Sequence, residues 1–182
     1  MSQLKTAIVL GATGLTGGLL VKKLVADTSF EKIILFSRKA LAFKHPKIEE
    51  HIVDVLELTV QEAKFKADMV FCCIGTTKAK TPDLDQYLEI DYGIPLQAAR
   101  LAKKNNIPKF LVVSAMGANP KSRVFYNRVK GQMEKDLLEL ELPETYIFRP
   151  SLISGKREEK RMGEGFANAL MRMMNSLIPA AY

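Results

Sequence analysis

Three glycines at fixed spacing follow the first apolar run of the chain. The run "TAIVLGA" at 6–12 leads into Gly11, Gly14 and Gly17 of "GATGLTG". Glycines at these offsets are expected by chance about 0.04 times in such a composition. Glycine permits a sharp turn, lets the backbone approach a pyrophosphate and lets a helix pack closely on a sheet. The spacing predicts a strand, a phosphate-binding turn and a helix; the alternative is a glycine-rich turn without a ligand. The residues expected at the phosphates are Gly11, Thr13, Gly14, Leu15, Thr16 and Gly17.

Apolar runs of strand length alternate with longer helical patterns along the chain. The runs at 7–10 and 110–113 are apolar at every position, which is typical of strands buried on both faces of a parallel sheet. Strands are predicted at 6–12, 32–37, 51–55, 68–75, 109–115 and 145–151, and helices at 15–26, 84–105 and 124–141. This alternation predicts an α/β fold with a doubly wound, mainly parallel sheet and helices on both faces. Because Pro95 is unfavourable inside a helix, the alternative for 84–105 is a second helix that begins at Pro95, with "DYGI" as the junction.

The composition, with 47% apolar and 26% charged residues, is that of a globular protein with a sizeable core. We expect a single domain over 1–182, in which 151–182 is a short C-terminal segment on the substrate side. The net charge of +7 suits anionic partners. No basic stretch is interleaved with aromatic residues, so a phosphorylated small molecule is favoured over nucleic acid.

The cysteine usage and the apolar segments predict a location. Cys72 and Cys73 are adjacent and are the only cysteines, so no disulfide framework and no zinc or other metal site is expected. The N-terminal apolar run is too short for a signal peptide, and no stretch approaches the ~18 apolar residues of a membrane span. These features favour a reducing compartment, no membrane association and a cytoplasmic location.

The end of the second predicted strand bears on the choice of dinucleotide. In NAD-binding units an acidic residue about 20 positions after the glycines binds the ribose hydroxyls. Here the strand ends in Ser37, Arg38 and Lys39, without an acid. A guanidinium and an ammonium group would bind a 2′-phosphate, so NADP(H) is preferred over NAD(H). The alternative is a pair of solvated basic residues.

Two further strand ends are expected at the same cleft, because ligands of open α/β sheets bind beyond the carboxyl ends of the strands. Asp54 and Val55 close the third predicted strand and would meet the adenine. Cys73, Ile74 and Gly75 close the fourth, where glycine lets the backbone lie against a ribose. The two cysteines are interpreted as small, mainly buried side chains and not as redox groups.

Ser114 ends the fifth predicted strand, Tyr126 follows twelve residues later, and Lys130 lies one helical turn beyond Tyr126. A Tyr and a Lys at this spacing alone are expected about half a time by chance. The order of the motifs "GATGLTG", "VVSAMGA", "FYNRVKGQME" and "IFRPSLISGK" resembles the short-chain dehydrogenase/reductase superfamily over about residues 5 to 155. Within it, the motifs are most similar to the atypical branch that includes the Tat-interacting-protein oxidoreductases.

The resemblance implies a Rossmann fold, a bound NAD(P) and a division of labour among the residues of the site. Tyr126 would exchange a proton with a carbonyl or alcohol oxygen, and Ser114 would donate a hydrogen bond to that oxygen. Lys130 would lower the pKa of the phenol from its usual value of about 10 and would hold the nicotinamide ribose. The residues expected to approach the nicotinamide are Pro150, Ser151 and Ile153.

One residue departs from the family pattern. Asp91 stands where many members have an Asn that is linked to a proton relay, which puts the relay in doubt. The leading hypothesis is an NADP(H)-dependent oxidoreductase acting on a small carbonyl or alcohol substrate, with a homodimer as a further expectation. Two alternatives stay open: an NADP(H)-binding regulatory or redox-sensing protein with little turnover, and a nucleotide-sugar epimerase-like protein.

Overall fold

The computed structural model describes residues 4–151, which contain six strands and four α-helices. The strands are β1 (Lys5–Leu10), β2 (Phe30–Ser37), β3 (Ile48–Ile52), β4 (Met69–Cys72), β5 (Lys109–Val113) and β6 (Glu144–Phe148). The α-helices are α1 (Leu15–Ala26), α2 (Leu84–Leu88), α3 (Ile94–Lys104) and α4 (Phe125–Leu138). A 3₁₀-helical segment spans Val55–Lys64, and a π-helical turn spans Glu89–Gly93. Among these described helices, none combines the length and the apolar character needed to cross a membrane.

The six strands form one sheet with the order β3-β2-β1-β4-β5-β6, and every neighbouring pair is parallel. The chain starts in the middle with β1, moves outward to β3, and then returns to β4 on the other side of β1. The strand order therefore reverses between β1 and β4, which is the place where doubly wound sheets bind ligands. The predicted α/β fold is confirmed, and all carboxyl ends of the strands lie along one edge.

Successive residues of the central strand pack on opposite faces of the sheet. Ile8 and Leu10 belong to a core that includes Met133 and Leu137 of α4. Ala7 and Val9 belong to a second core that is completed by apolar residues of α1. Because strand side chains alternate between faces, this division places α1 on one face and α4 on the other. The continuous apolar run at 7–10 is thereby explained by burial on both sides.

The boundaries predicted for the third and fourth strands are wrong. Strand β3 ends at Ile52, because Asp54 instead caps the following 3₁₀-helical segment, where its side chain accepts a hydrogen bond from the Leu56 amide at 3.0 Å. That segment was not expected from the sequence. Strand β4 ends at Cys72, and the last bond to β1 runs from the Cys73 amide to the Leu10 carbonyl at 3.0 Å.

The helix predicted over 84–105 is interrupted, which confirms the alternative prediction of a second helix. Helix α2 passes into the π-helical turn, and α3 begins at Ile94 with Pro95 in its first turn. Helix α3 continues directly from the π turn, in which the Ile94 amide bonds to the Glu89 carbonyl, so the proline, which has no N–H to donate, follows the change in hydrogen-bond pattern. The π turn contains Asp91, which it carries into the interior. The expected segment 151–182 lies outside the described residues beyond Ser151.

Two helical glycines provide a test of how closely α4 packs against the Asn119 backbone. A Cβ at Gly131 would lie 2.2 Å from the backbone carbon of Asn119, whereas a Cβ at Gly93 would meet only the Leu88 carbonyl at 3.9 Å. We expect Gly131→Ala to lower the free energy of unfolding by about 1–3 kcal/mol or more, because α4 must move away from the Asn119 backbone. Gly93→Ala is the matched control and should raise it by about 0.5–1 kcal/mol. Urea unfolding measures both; equal effects of the two substitutions would contradict this packing.

Candidate functional site

Backbone contacts at the glycine turn explain its glycine spacing. Gly11 has a φ of +80°, and a Cβ on it would lie 2.7 Å from the Cys73 carbonyl oxygen. A Cβ on Gly17 would lie 2.2 Å from the Gly11 carbonyl oxygen. Any other residue at Gly17 would therefore push α1 off the turn. Gly14 is exposed and lies at the start of α1, so the turn faces the carboxyl edge of the sheet with little side chain over it.

The amino end of α1 fits a dinucleotide phosphate. Helix α1 has 12 residues, and its N-cap residue, Gly14, supplies no side-chain hydrogen bond to the first turn. The first amides of a helix carry a partial positive charge and need an acceptor. Thr13 and Leu15 are exposed beside them, and Thr16 is half-buried. The turn can therefore hold a phosphate group through backbone N–H groups alone.

At the next strand end, Ser37 is buried and Arg38 and Lys39 are exposed. The Ser37 hydroxyl donates to the Lys39 carbonyl oxygen at 2.7 Å and so fixes the turn that presents the two basic side chains. Asp54, expected at the adenine, is exposed, and Val55 beside it is buried. The structure thus brings a basic pair and not an acid to the second strand end.

The segment after β4 connects the dinucleotide edge with α4. Cys73 and Ile74 are half-buried and Gly75 is exposed. A Cβ on Gly75 would lie 3.5 Å from Asp91 Oδ1 and 3.9 Å from Lys130 Nζ. The exposed backbone at Gly75 therefore lies directly over a buried pair of charges.

The interpretation of the cysteines as small packing residues agrees with their surroundings. Cys72 is buried and Cys73 is half-buried, and both are free thiols. Burial raises the pKa of Cys72 to about 11 and also raises the pKa of Cys73. A thiol that stays protonated is a poor nucleophile and metal ligand.

Helix α4 presents three polar residues one turn apart, Tyr126, Lys130 and Glu134. Residues at i, i+4 and i+8 share a helix face, and here that face points into the protein. Lys130 and Glu134 are 3% and 4% exposed, respectively, and Tyr126 is half-buried. Long charged side chains are almost never this buried unless they are paired. Both have partners, and these partners come from other elements.

The partner of Lys130 is Asp91. Lys130 Nζ lies 2.7 Å from Asp91 Oδ1, and the two side chains are 3% and 1% exposed. The other carboxylate oxygen of Asp91, Oδ2, accepts a hydrogen bond from the Thr76 amide at 2.6 Å. Asp91 therefore joins the π turn, the segment after β4 and helix α4. π-Helical turns inside α-helices are frequent at functional sites, and this one places a carboxylate at the sheet edge.

The electrostatics around Tyr126 differ from the expectation. Burial and the Asp91 carboxylate both raise the pKa of Tyr126, whereas Lys130 was expected to lower it. The physical reason is that Lys130 is paired with Asp91, so its charge is compensated at close range. No hydrogen bond joins the Tyr126 hydroxyl to another residue of the described part of the chain. This environment favours the neutral phenol over the phenolate.

Ser114 belongs to a second polar network on α4, in which Ser114 and Glu134 are buried and Arg149 is 55% exposed. Its hydroxyl donates a short hydrogen bond to Glu134 Oε1, and Arg149 Nε donates to the same oxygen at 2.9 Å. The Arg149 guanidinium also pairs with Glu134 Oε2, and this charge-assisted contact raises the pKa of Arg149. Neither Glu134 nor Arg149 was singled out from the sequence. The available signal was an acid four residues after Lys130, on the same helix face, with an Arg at the end of the last strand.

Helix α4 is the element that connects Ser114, Tyr126 and Lys130. Tyr126 and Lys130 are residues of α4, and Ser114 contacts the helix through Glu134. Pro150 lies beside the segment that follows Ser114, since the Met116 amide donates to the Pro150 carbonyl oxygen at 2.8 Å. Ser151 is exposed, and Ile153 lies outside the described residues. The glycine turn, the basic strand end and Gly75 occupy the same edge of the sheet.

The parallel sheet with its reversal point and the open glycine turn define a dinucleotide-binding α/β protein of the Rossmann class. A family model described as NAD(P)H-binding matches residues 11–167, and the chain belongs to this family. Among its relatives, "Protein FMP52-1, mitochondrial" of Scheffersomyces stipitis is 35% identical over 159 residues, 86% of this chain and 70% of the relative. Protein HTATIP2 of Rattus norvegicus is 33% identical over 169 residues, 91% of this chain and 69% of the relative. The predicted resemblance to the Tat-interacting-protein branch is thereby confirmed.

Solved structures share the fold at low sequence identity. WbmH of Bordetella bronchiseptica, in complex with NAD+, superposes with a TM-score of 0.72 at 14% identity, covering 93% of this chain and 72% of that protein. The UDP-glucose 4-epimerase of Thermotoga maritima, with UDP-glucose, has a TM-score of 0.66 at 16% identity. That match covers 79% of this chain and 54% of the epimerase, so the chain spans about half of the epimerase's length. These matches show an epimerase-like Rossmann fold.

The predicted cytoplasmic location is contradicted by the relatives. The FMP52 proteins of Scheffersomyces stipitis, Eremothecium gossypii, Debaryomyces hansenii and Candida glabrata are named mitochondrial. The prediction rested on the free cysteines, on the short N-terminal apolar run and on the lack of a membrane-length apolar stretch. Free cysteines indicate a reducing environment and do not distinguish one compartment from another.

The buried ion pair gives a stability prediction. Lys130→Met removes the cation and leaves the Asp91 carboxylate buried without its partner, so we expect the free energy of unfolding to fall by about 3–5 kcal/mol. The double variant Asp91→Asn/Lys130→Met carries no buried charge and should recover most of that loss. Chemical denaturation of both variants provides the comparison. A double variant as unstable as Lys130→Met would show that the two side chains are not coupled.

Proposed function

We propose that this chain is an NADP(H)-dependent oxidoreductase of the short-chain dehydrogenase/reductase type that acts on a small carbonyl or alcohol substrate. The observation that carries the proposal is the placement of Tyr126 and Lys130. Both lie on the inward face of α4, and Lys130 Nζ lies beside Gly75, on the edge that holds the uncapped glycine turn. A proton donor and a dinucleotide site would thereby share one cleft.

The residues divide the work as follows. The bound dinucleotide would supply or accept hydride. The amides at the start of α1 would hold its phosphates, and Gly75 would admit its ribose close to the backbone. Tyr126 would pass a proton to or from the substrate oxygen, and Ser114 would stabilise charge on that oxygen. Lys130 would hold the ribose while Asp91 fixes the position of its ammonium group.

NADP(H) is the proposed form of the dinucleotide because of the second strand end. Arg38 and Lys39 are exposed there, and the Ser37 hydroxyl fixes the turn that carries them. A guanidinium group can bind a 2′-phosphate through two parallel hydrogen bonds. An acid, which would repel that phosphate, is missing from this strand end.

The second candidate is an NADP(H)-binding regulatory or redox-sensing protein with little turnover. Two observations favour it: Lys130 is paired with Asp91, and the Ser114 hydroxyl donates to Glu134. The Ser114 hydroxyl would have to exchange its partner before it donates to a ligand, and Lys130 would have to share its charge between Asp91 and the ligand. An epimerase-like activity has weaker support, because the structural matches below 25% identity indicate the fold alone. The names of the fungal relatives make mitochondria the compartment in which we propose that the chain acts.

Dinucleotide choice can be tested by binding. We expect wild-type protein to bind NADPH more tightly than NADH in a fluorescence titration. Replacing Arg38 and Lys39 together with alanine should weaken NADPH about ten- to a hundredfold and leave NADH unchanged, because charge-assisted hydrogen bonds to the 2′-phosphate are lost. Lys64→Ala/Lys66→Ala removes two exposed lysines ahead of β4, away from the second strand end, and is the control for net charge. Equal affinity of wild-type protein for both dinucleotides would argue against the proposal.

The proton-transfer role can be tested with a tyrosine pair. Tyr126→Phe should lower turnover by about 10²-fold or more and leave NADPH affinity nearly intact, since only the proton donor is removed. Tyr146→Phe is the control, because its hydroxyl donates to Glu144 at the start of β6. Substrates are found by following NADPH absorbance with aldehydes, ketones and quinones. Undiminished turnover of Tyr126→Phe would remove this residue from the mechanism, and silence of wild-type protein with every compound would favour the binding-protein alternative.

A further inference from the structure

One oxygen of the buried Asp91 carboxylate has hydrogen-bonding capacity that is not used. The side chain is 1% exposed, and its Oδ2 accepts from the Thr76 amide at 2.6 Å. Its Oδ1 lies 2.7 Å from Lys130 Nζ, but this oxygen receives no aligned hydrogen bond from the described residues. Buried polar atoms are nearly always hydrogen-bonded, so a carboxylate oxygen left open beside a candidate cleft requires an explanation.

Gly75 leaves the Asp91 and Lys130 pair uncovered toward the carboxyl edge of the sheet. A Cβ on Gly75 would lie 3.5 Å from Oδ1 and 3.9 Å from Nζ, so a side chain there would cover both atoms. Gly75 itself is exposed. Among the described glycines, positive φ angles occur at Gly11 and Gly117, so the backbone at Gly75 does not require glycine. The missing side chain is explained by access to the buried pair.

The pair selects the kind of group that can bind to it. A carboxylate oxygen only accepts hydrogen bonds, and an ammonium group only donates them. A ligand carbonyl would satisfy Lys130 alone, Asp91 would repel a phosphate or carboxylate, and Lys130 would repel a cation. Because Oδ1 and Nζ are 2.7 Å apart, one ligand group can reach both atoms. A hydroxyl group meets both requirements, since it accepts and donates.

The position of the pair along the sheet indicates which hydroxyl group this is. In the strand order, β4 lies on the opposite side of β1 from β2, and Gly75 follows β4. A dinucleotide at the reversal point extends to both sides of the glycine turn. Its adenosine half would lie toward Arg38 and Lys39 after β2. The ribose of its nicotinamide half would then lie toward Gly75 and α4.

We propose that Asp91 is a cofactor-binding residue, whose Oδ1 accepts a hydrogen bond from a hydroxyl group of the nicotinamide ribose while Lys130 donates to the same diol. This inference rests on the proposed function and adds a ligand contact to it. The Thr76 amide holds Oδ2 and thereby keeps Oδ1 directed at the ligand. Asp91 thus makes this part of the site specific for a ribose with free hydroxyl groups.

The affinities of cofactor-free protein for NADPH, 2′-phospho-ADP-ribose and 2′,5′-ADP test this contact. The first two ligands carry the second ribose, and 2′,5′-ADP does not. In Asp91→Asn the amide oxygen can still accept from Thr76, and the NH₂ group then replaces the acceptor that faces the ligand. We expect this variant to bind NADPH and 2′-phospho-ADP-ribose about tenfold more weakly or worse, because a hydrogen bond to a charged acceptor is lost, and 2′,5′-ADP nearly as wild type does. Isothermal titration calorimetry measures all three affinities.

The matched control is Asp85→Asn, which removes an exposed carboxylate from α2 and should change none of the affinities. Equal weakening of all three ligands by Asp91→Asn would show that the residue acts through the fold or the net charge, and would overturn the inference. Unchanged affinity for NADPH in Asp91→Asn would overturn it as well.

Gly75→Ala is a second variant, which serves if Asp91→Asn is unstable. Its Cβ would make ordinary van der Waals contacts with Asp91 and Lys130, so we expect it to fold. Because the methyl group covers the pair, it should weaken NADPH and 2′-phospho-ADP-ribose about tenfold and spare 2′,5′-ADP. Gly93→Ala, whose Cβ would meet only the Leu88 carbonyl at 3.9 Å, is its control. Wild-type affinity of Gly75→Ala for NADPH would overturn the inference.

The outcomes also separate this inference from the proposed function. If the protein reduces a carbonyl compound with NADPH, and Asp91→Asn keeps the wild-type preference among the three ligands, the ribose contact is overturned and the proposed function stands. If the ligand pattern is as expected in a protein that turns over no substrate, the ribose contact is supported and the binding-protein alternative is favoured.

Discussion

The close approach of α1 to the end of β1 is the constraint on which the rest of the site depends. The Gly17 backbone packs where a Cβ would lie 2.2 Å from the Gly11 carbonyl oxygen, and Gly11 in turn packs against the Cys73 backbone. These contacts join β1, α1 and β4 at the point where the strand order reverses. They also leave the amides of the first turn of α1 uncovered by a side-chain cap. Packing and phosphate binding thus require the same small residues.

Helix α4 supplies the polar half of the site, and its charges are balanced by residues from other elements. Lys130 meets Asp91 of the π turn, and Glu134 meets Ser114 and Arg149 at the ends of β5 and β6. Buried charges that are paired in this way hold a geometry at a considerable cost in desolvation, which suits a site more than a core. Tyr126 is the exception on that face, since its hydroxyl has no partner among the described residues and stays available to a ligand.

The sequence was informative where the physical signal is local. Short-range rules of periodicity and turn chemistry predict the glycine turn, the strands that are apolar on both faces, and the helix that carries Tyr126 and Lys130. The start of β3 could not be predicted in the same way. Its "IEEHI" is the edge strand, with half-buried polar side chains and a weak apolar pattern.

The partners of the site residues could not be predicted from the sequence, because each pair is far apart along the chain. Asp91 and Lys130 are 39 positions apart along the chain, and Ser114 and Glu134 are 20 apart. The expectation that Lys130 would lower the pKa of Tyr126 considered the two residues in isolation. A third group on a π turn reverses the sign of the effect, and a π turn has no reliable sequence signature.

The central claim is that a nicotinamide dinucleotide lies along the carboxyl edge of the sheet, from the glycine turn to α4. Titration of ¹⁵N-labelled protein with NADPH to about 1 mM, the upper range of ordinary cofactor and substrate affinities, tests it most directly. We predict that the amide signals of Gly14, Arg38, Gly75 and Lys130 shift together with one affinity. Shifts confined to the opposite edge of the sheet, at Lys5, Phe30 and Lys109, or no shifts at all, would contradict it.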